Sequence, residues 1–164
     1  VKQMGALVKD LGRMSLKNTD QPLPEISLSD LLQEEITRKA ERLAAREISF
    51  ETEIASDIRL QADLQTLAQL LDELTDNTVK YAKSRARFSL RKEGERILLQ
   101  TENDTELPPG PADQVFDRFT TLSNASPDEV GLGLSYVKEA VQALHGRVSA
   151  EVTSDGLFRL QIAL

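Results

Sequence analysis

Leu71-Asp72-Glu73-Leu74-Thr75-Asp76-Asn77-Thr78-Val79-Lys80-Tyr81-Ala82 is the stretch on which the reading of this chain turns. On a wheel of about 100° per residue, Leu67, Leu70, Leu71, Leu74 and Thr78 gather on one side, which should face a sheet. Glu73, Asn77, Lys80 and Tyr81 fall on an arc of about 100° beside that stripe. A carboxylate, an amide, an ammonium and a phenol thus line the border between core and solvent. Asn77 can offer a neutral oxygen to Mg²⁺, which keeps most of its waters and needs few protein ligands. Lys80 can meet a phosphate as a point charge. Glu73 can orient or deprotonate a nucleophile, and Tyr81 can pack on a base and donate a hydrogen bond. The same pattern also fits the polar flank of an ordinary amphipathic helix.

The flanking sequence supplies a sheet for this helix. Asp63 can cap it, and it runs to about Ala82. Ile48–Ile54 alternates apolar and polar residues, the pattern of a half-buried strand, and Ile58-Arg59-Leu60 is a second short one. Strands at about 85–92 and 96–102 follow, joined by a turn at Glu93-Gly94-Glu95. Residues 104–114 form a loop with three prolines, and a short helix at about 112–119 holds Phe116-Asp117-Arg118-Phe119. Strands at about 147–153 and 157–163 close the chain as a hairpin around Ser154-Asp155-Gly156. Upstream, Ser27 or Ser29 can cap a helix whose stripe is Leu31, Leu32, Ile36, Ala40 and Leu43. Residues 1–17 carry Met4, Leu7, Val8, Leu11 and Met14 at helical spacing, and the two prolines of 18–25 mark a linker. The order of elements implies an α/β (α+β) two-layer sandwich, one sheet covered on one face by helices and preceded by an N-terminal helix.

A second candidate site is Val130-Gly131-Leu132-Gly133-Leu134, between a polar loop at 120–129 and a helix ending at His145-Gly146. Glycines at a helix start free backbone N–H groups for an anion, and the helix dipole favours negative charge there. The segment lacks the Gly-Lys-Ser/Thr of a Walker loop, and no strand leads into it as a dinucleotide fingerprint requires. His145 sits at a helix end, where histidine suits the C-terminal dipole.

Composition excludes several classes. The chain has 164 residues, no cysteine and one histidine, so disulfide scaffolds, thiol catalysis and multi-histidine metal sites are ruled out. Its net charge of −7 argues against a general nucleic-acid binder. No apolar run approaches the roughly 20 residues of a membrane span, and the first residues do not read as a signal peptide.

Taken in order, these pieces resemble the ATP-binding catalytic domain of sensor histidine kinases, the Bergerat fold shared with gyrase, heat-shock chaperone and mismatch-repair ATPases. Glu73–Tyr81 resembles its N box, Phe116–Phe119 its phenylalanine box, and Gly131–Leu134 the end of its second glycine box. The final Leu144-His145-Gly146-Arg147-Val148 resembles its C-terminal strands. The resemblance covers residues 26–164, and residues 1–25 then resemble the end of a dimerisation and phosphoacceptor helix plus linker.

The resemblance implies a mixed, mostly antiparallel sheet and γ-phosphoryl transfer from ATP to a histidine on the dimerisation domain. Glu73 would assist the attacking histidine, and Asn77 would hold Mg²⁺ against the phosphates. Lys80, Arg118, Gly131 and Gly133 would meet phosphate, with 120–130 as a lid anchored by Phe116 and Phe119. Tyr81, Leu107, Leu132 and Leu134 would flank the nucleotide. The implied partners are ATP, that dimerisation domain and a response regulator, with no nucleic acid. The implied location is cytoplasmic, in a parent anchored to the membrane.

The first glycine box departs from the family's Asp-x-Gly-x-Gly. Here it is Asn103-Asp104-Thr105-Glu106, with Asn103 at the adenine-binding position and Asp104 as its rival. Glu129 replaces a further glycine, so weak ATP binding is expected. A degenerate interaction module and a serine kinase of the anti-sigma-factor type are the competing readings.

Overall fold

The computed structural model describes residues 22–117 and 132–164. The expected helix at 1–17, Arg118, Phe119, the lid segment 120–130 and Gly131 lie outside the described residues. Strand β1 (Glu25–Ser27) leads into helix α1 (Leu28–Ala45), which Ser27 caps by accepting a hydrogen bond from Asp30 N at 3.2 Å. Strands β2 (Ser49–Ile54) and β3 (Arg59–Gln61) precede helix α2 (Leu64–Tyr81). Asp63 caps α2, its Oδ2 accepting from Thr66 N at 3.0 Å and from Thr66 Oγ1 at 2.9 Å. Strands β4 (Arg85–Glu93) and β5 (Arg96–Asp104) form the central hairpin. Then come β6 (Gly110–Pro111), a 3₁₀ turn (Asp113–Phe116), helix α3 (Leu132–Ala143), β7 (Arg147–Val152) and β8 (Leu157–Ala163).

Six strands make one sheet in the order β2-β4-β5-β8-β7-β6. Among the described residues only β2 with β4 is parallel; the other pairs are antiparallel, so the sheet is mixed and mostly antiparallel. β1 and β3 form a separate antiparallel ribbon. Alternation along the central strands puts Phe88, Leu90, Leu99, Leu160 and Ile162 on one face, all buried against the helices. From the other side, Leu67, Leu70, Leu71 and Leu74 of α2 are wholly buried, as the wheel required.

The opposite sheet face is polar. Across five strands, Glu51, Arg87, Glu102, Arg159 and Glu151 stand side by side in register, alternating in sign. Arg159 Nε donates to Glu102 Oε2 at 2.7 Å and its Nη1 to Glu151 Oε2 at 3.1 Å. Opposite charges on neighbouring strands make a solvent-facing sheet surface self-compensating.

Three local expectations need correction. The strand at 48–54 is exposed along most of its length; Ile48 is buried just before it. It lies at the sheet edge, where Phe50 leans edge-to-face on Phe88 but stays 38% exposed. The helix expected at 112–119 is only a 3₁₀ turn, because Asp117 is already extended and the turn is pinned by Asp113 Oδ1 accepting from Ala150 N at 2.8 Å. The proline-rich loop contains a short strand, Gly110–Pro111, paired to Val152 and Glu151.

At the other end of α3, His145 adopts φ 64°, the left-handed turn that stops a helix and that histidine tolerates better than most residues. Gly146 then passes under the last strand. A Cβ there would lie 2.4 Å from Ala163 O and 2.8 Å from Leu164 Cδ2.

Candidate nucleotide site

α2 and α3 pack against each other on the sheet. Thr75 and Thr78, wholly buried, return their hydroxyls to the helix by donating to Leu71 O at 2.8 Å and Leu74 O at 3.2 Å. Glu73, Asn77 and Tyr81 are half-buried and Lys80 is exposed, which is the border position expected. Lys80 Nζ lies 5.9 Å from the Tyr81 ring centroid. Asn77 is unlike its neighbours: its Nδ2 is buried with no hydrogen-bond partner. A buried donor left unmade costs about 1–3 kcal/mol, so such a group calls for an explanation.

α3 contributes a residue that the sequence did not single out. Tyr136 is half-buried, and burial first, then Glu73, Asp63 and Glu139, push its phenol above the ordinary value. The negative charge of Glu73 is thus felt at Tyr136, across the junction of α2 and α3. The signal available in the sequence was only its place, three residues beyond Gly133 on the same helix. Leu132 and Gly133 form the first turn of α3, where backbone N–H groups have no acceptor within the helix. Leu134 is buried in the core, as is Phe116 of the 3₁₀ turn.

The end of β5 forms the third side. Asn103 is 2% exposed and lies on the helix-facing side with Ile97, Leu99 and Thr101. Its Nδ2 donates to Asp104 O at 3.1 Å, which leaves Oδ1 as its acceptor arm.

Asp104 points its carboxylate elsewhere. Its oxygens accept from Lys83 N (2.9 Å), Ser84 N (3.0 Å), Ser84 Oγ (2.5 Å) and Arg85 N (3.2 Å). Burial alone would raise its pKa; the hydrogen bonds from Ser84, Lys83 and Arg85 outweigh that and hold the carboxyl well below the usual carboxylate range. Asp104 is therefore a clamp on the turn between α2 and β4, its acceptors committed to that turn.

The substituted first glycine box is ordered by side-chain and backbone bonds. Thr105 Oγ1 accepts from Leu107 N at 3.2 Å, and Thr105 N donates to Gly156 O at 3.0 Å. Leu107 packs against the core from this loop. Among the described residues, no group of three carboxylate or histidine side chains forms a metal cage.

An α/β sandwich with this topology, carrying a polar helix border opposite a glycine-started helix, defines a nucleotide-binding ATPase fold. The chain belongs to the histidine kinase-, DNA gyrase B- and HSP90-like ATPase family, which it matches over residues 62–164. It is 27% identical over 150 residues to the alginate biosynthesis sensor protein KinB of Pseudomonas aeruginosa, covering 87% of this chain and 25% of that one. It is 28% identical to the sensor protein DltS of Streptococcus agalactiae, covering 99% of this chain and 43% of that one. The chain thus spans less than half the length of these curated relatives. Among solved structures it resembles the histidine kinase AdeS of Acinetobacter baumannii (TM-score 0.66, 22% identity, 99% of this chain and 78% of that one). It also resembles the mycobacterial sensor histidine kinase MprB (TM-score 0.72, 19% identity, 87% and 96%).

Proposed function

We propose that residues 26–164 are the ATP-binding catalytic domain of a sensor histidine kinase, and that residues 1–25 end its dimerisation helix and linker. The observation that carries this reading is the unpartnered, buried amide of Asn77 on the polar flank of α2. A helix stores such a cost where a ligand will use the group.

Asn77 offers two arms: its unpartnered Nδ2 is a donor that a phosphate oxygen would satisfy, and its Oδ1 is a neutral oxygen that would suit Mg²⁺, an ion that takes few protein oxygens. The ion, when bound, neutralises charge on the phosphates. Lys80 adds a point charge to phosphate, and the first-turn N–H groups of α3, with Gly131 and Gly133, add donors. Arg118 and Phe119 would bound the lid with Phe116. Asn103 Oδ1 would accept from the adenine amino group, with Tyr81, Leu107, Leu132 and Leu134 around the base and sugar. Asp104 would hold the turn beneath them.

Glu73 would orient the incoming histidine and take its proton while that nitrogen attacks the γ-phosphorus and ADP leaves. Catalysis of this step is mostly positioning and charge neutralisation. The histidine would come from the dimerisation domain, because His145 ends α3 at the opposite end from the glycines, nearly 20 Å away by helix rise. The whole protein would hand the phosphoryl group to a response regulator and work on the cytoplasmic side of a membrane. No helix among the described residues is long and apolar enough to cross one.

Calorimetric titration with a non-hydrolysable ATP analogue, with and without Mg²⁺, tests this reading. Magnesium-dependent binding that Asn77→Ala abolishes is the expected result. Absence of binding at several millimolar, also in a longer chain carrying the dimerisation helices, overturns it.

A further inference from the structure

Helix α1 carries no residue of the proposed nucleotide site, yet two of its cations and a third, Arg46, at its C-cap grip α2. Lys39, Arg42 and Arg46 follow one another at helical spacing. Lys39 Nζ, buried, donates to Asp72 Oδ1 at 2.7 Å and Thr75 Oγ1 at 2.9 Å, with Glu35 Oε1 at 3.1 Å. Arg42 Nη1 donates to Asp76 Oδ1 at 2.7 Å. These two hold mainly side chains of α2, Lys39 adding a longer bond to Asp72 O at 3.4 Å. Arg46 differs, because it holds backbone: Nη1 donates to Val79 O and to Lys80 O at 3.3 Å, and Nη2 to Ala82 O at 2.8 Å.

Val79 O and Lys80 O are orphan acceptors of the last turn of α2, and Ala82 O belongs to the residue that ends it. The helix ends at Ala82 with extended φ and ψ, so no left-handed glycine closes it. The guanidinium fork does that work from another helix, and its positive charge suits the negative end of the dipole. The turn it holds is the one that carries Lys80 and Tyr81. On the far side of the same junction, Asp104 clamps residues 83–85. The last turn of α2 is thus fixed from both sides, by α1 and by the end of β5.

We infer that Arg46 is a positioning residue for nucleotide binding, acting through the backbone of Val79–Ala82 to set Lys80 and Tyr81 against the ligand. The inference rests on the functional reading above. Its experiment measures affinity for a non-hydrolysable ATP analogue with Mg²⁺ in the wild-type chain, Arg46→Met, Arg46→Lys and Lys80→Ala, together with each Arg46 variant combined with Lys80→Ala. Thermal unfolding is followed in parallel.

Arg46→Met should weaken binding by about tenfold, since small misplacements of binding groups are costly. Arg46→Lys, a point donor that cannot span two carbonyls, should recover part of the loss and serves as the test if the methionine variant does not fold. In the Lys80→Ala background the Arg46 effect should shrink to the part carried by Tyr81, because the Lys80 contact is already gone. A purely structural role would lower the melting temperature and leave affinity of the folded protein unchanged, or would weaken binding equally in both backgrounds; either result overturns the inference. Absence of nucleotide binding by the wild type, also in a longer chain carrying the dimerisation helices, overturns the functional reading itself and the inference with it, which is distinct from normal wild-type binding that Arg46→Met leaves intact.

Discussion

Asn77→Leu should make the nucleotide-free protein more stable while abolishing Mg-nucleotide binding. The wild-type amide keeps Nδ2 buried without a partner. Relieving an unmet buried donor is worth about 1–3 kcal/mol, and the lower end applies because the residue as a whole is only half-buried. Leucine has nearly the shape of asparagine and adds a few tenths of a kcal/mol in helix propensity. The sum is about 1.5 kcal/mol, or roughly 3–6 °C in melting temperature for a chain of this size. Thermal unfolding without nucleotide, followed by calorimetric titration, reads both effects. Asn77→Ala provides the contrast, since it removes the amide but leaves a gap and should not stabilise. A fall in melting temperature of several degrees for Asn77→Leu would mean that the amide is satisfied in solution, and the stored-cost argument would fail. Retained nucleotide affinity would remove Asn77 from the site.

Asp104→Ala should destabilise by about 2 kcal/mol through loss of the clamp on residues 83–85, in the range of a lost helix cap. The pH dependence follows from its depressed pKa: the contribution is fully present above the unfolded value of about 4 and is lost as pH falls through the folded value. Melting curves of wild type and Asp104→Ala should therefore keep a constant gap above about pH 5 and converge in stronger acid; a gap that persists there would refute the assignment. Asn103→Asp should tighten nucleotide binding several-fold by adding charge to the adenine contact, and a titration showing no change would move that contact elsewhere. Gly146→Ala should cost about 2 kcal/mol, because the new methyl meets backbone, Ala163 O, which cannot yield. An unchanged melting temperature would show that the last strand can shift.

The polar flank of α2 was legible because a helix converts sequence spacing directly into direction. Leu67 to Thr78 and Glu73 to Tyr81 fall on their faces by the 3.6-residue period alone. The caps at Ser27 and Asp63 are equally local, since each bond closes within three residues. The glycine-started helix and the paired strands followed from the same short-range rules, and the order of the boxes pointed to the family before any coordinates.

Other features depended on distant partners. Strand alternation already sends Asn103 and Asp104 to opposite faces and favours Asn103, but only when β5 comes to lie beside the turn after α2 does Asp104 find four donors some twenty residues away in sequence and give up its oxygens to them. Lys39 and Glu35 are not marked by the apolar stripe of their helix, yet packing of α1 on α2 buries both. Tyr136 and Arg46 acquire their significance across helix junctions, and the alternating charges of the open sheet face emerge only with strand register. The sequence by itself determined the elements, their buried faces and the residue types of the site, because those follow from periodicity and capping within a few residues. The tertiary structure decided which polar groups are satisfied and which are left over, because a hydrogen bond depends on a partner's position to within a few tenths of an ångström, and only the packed fold sets that.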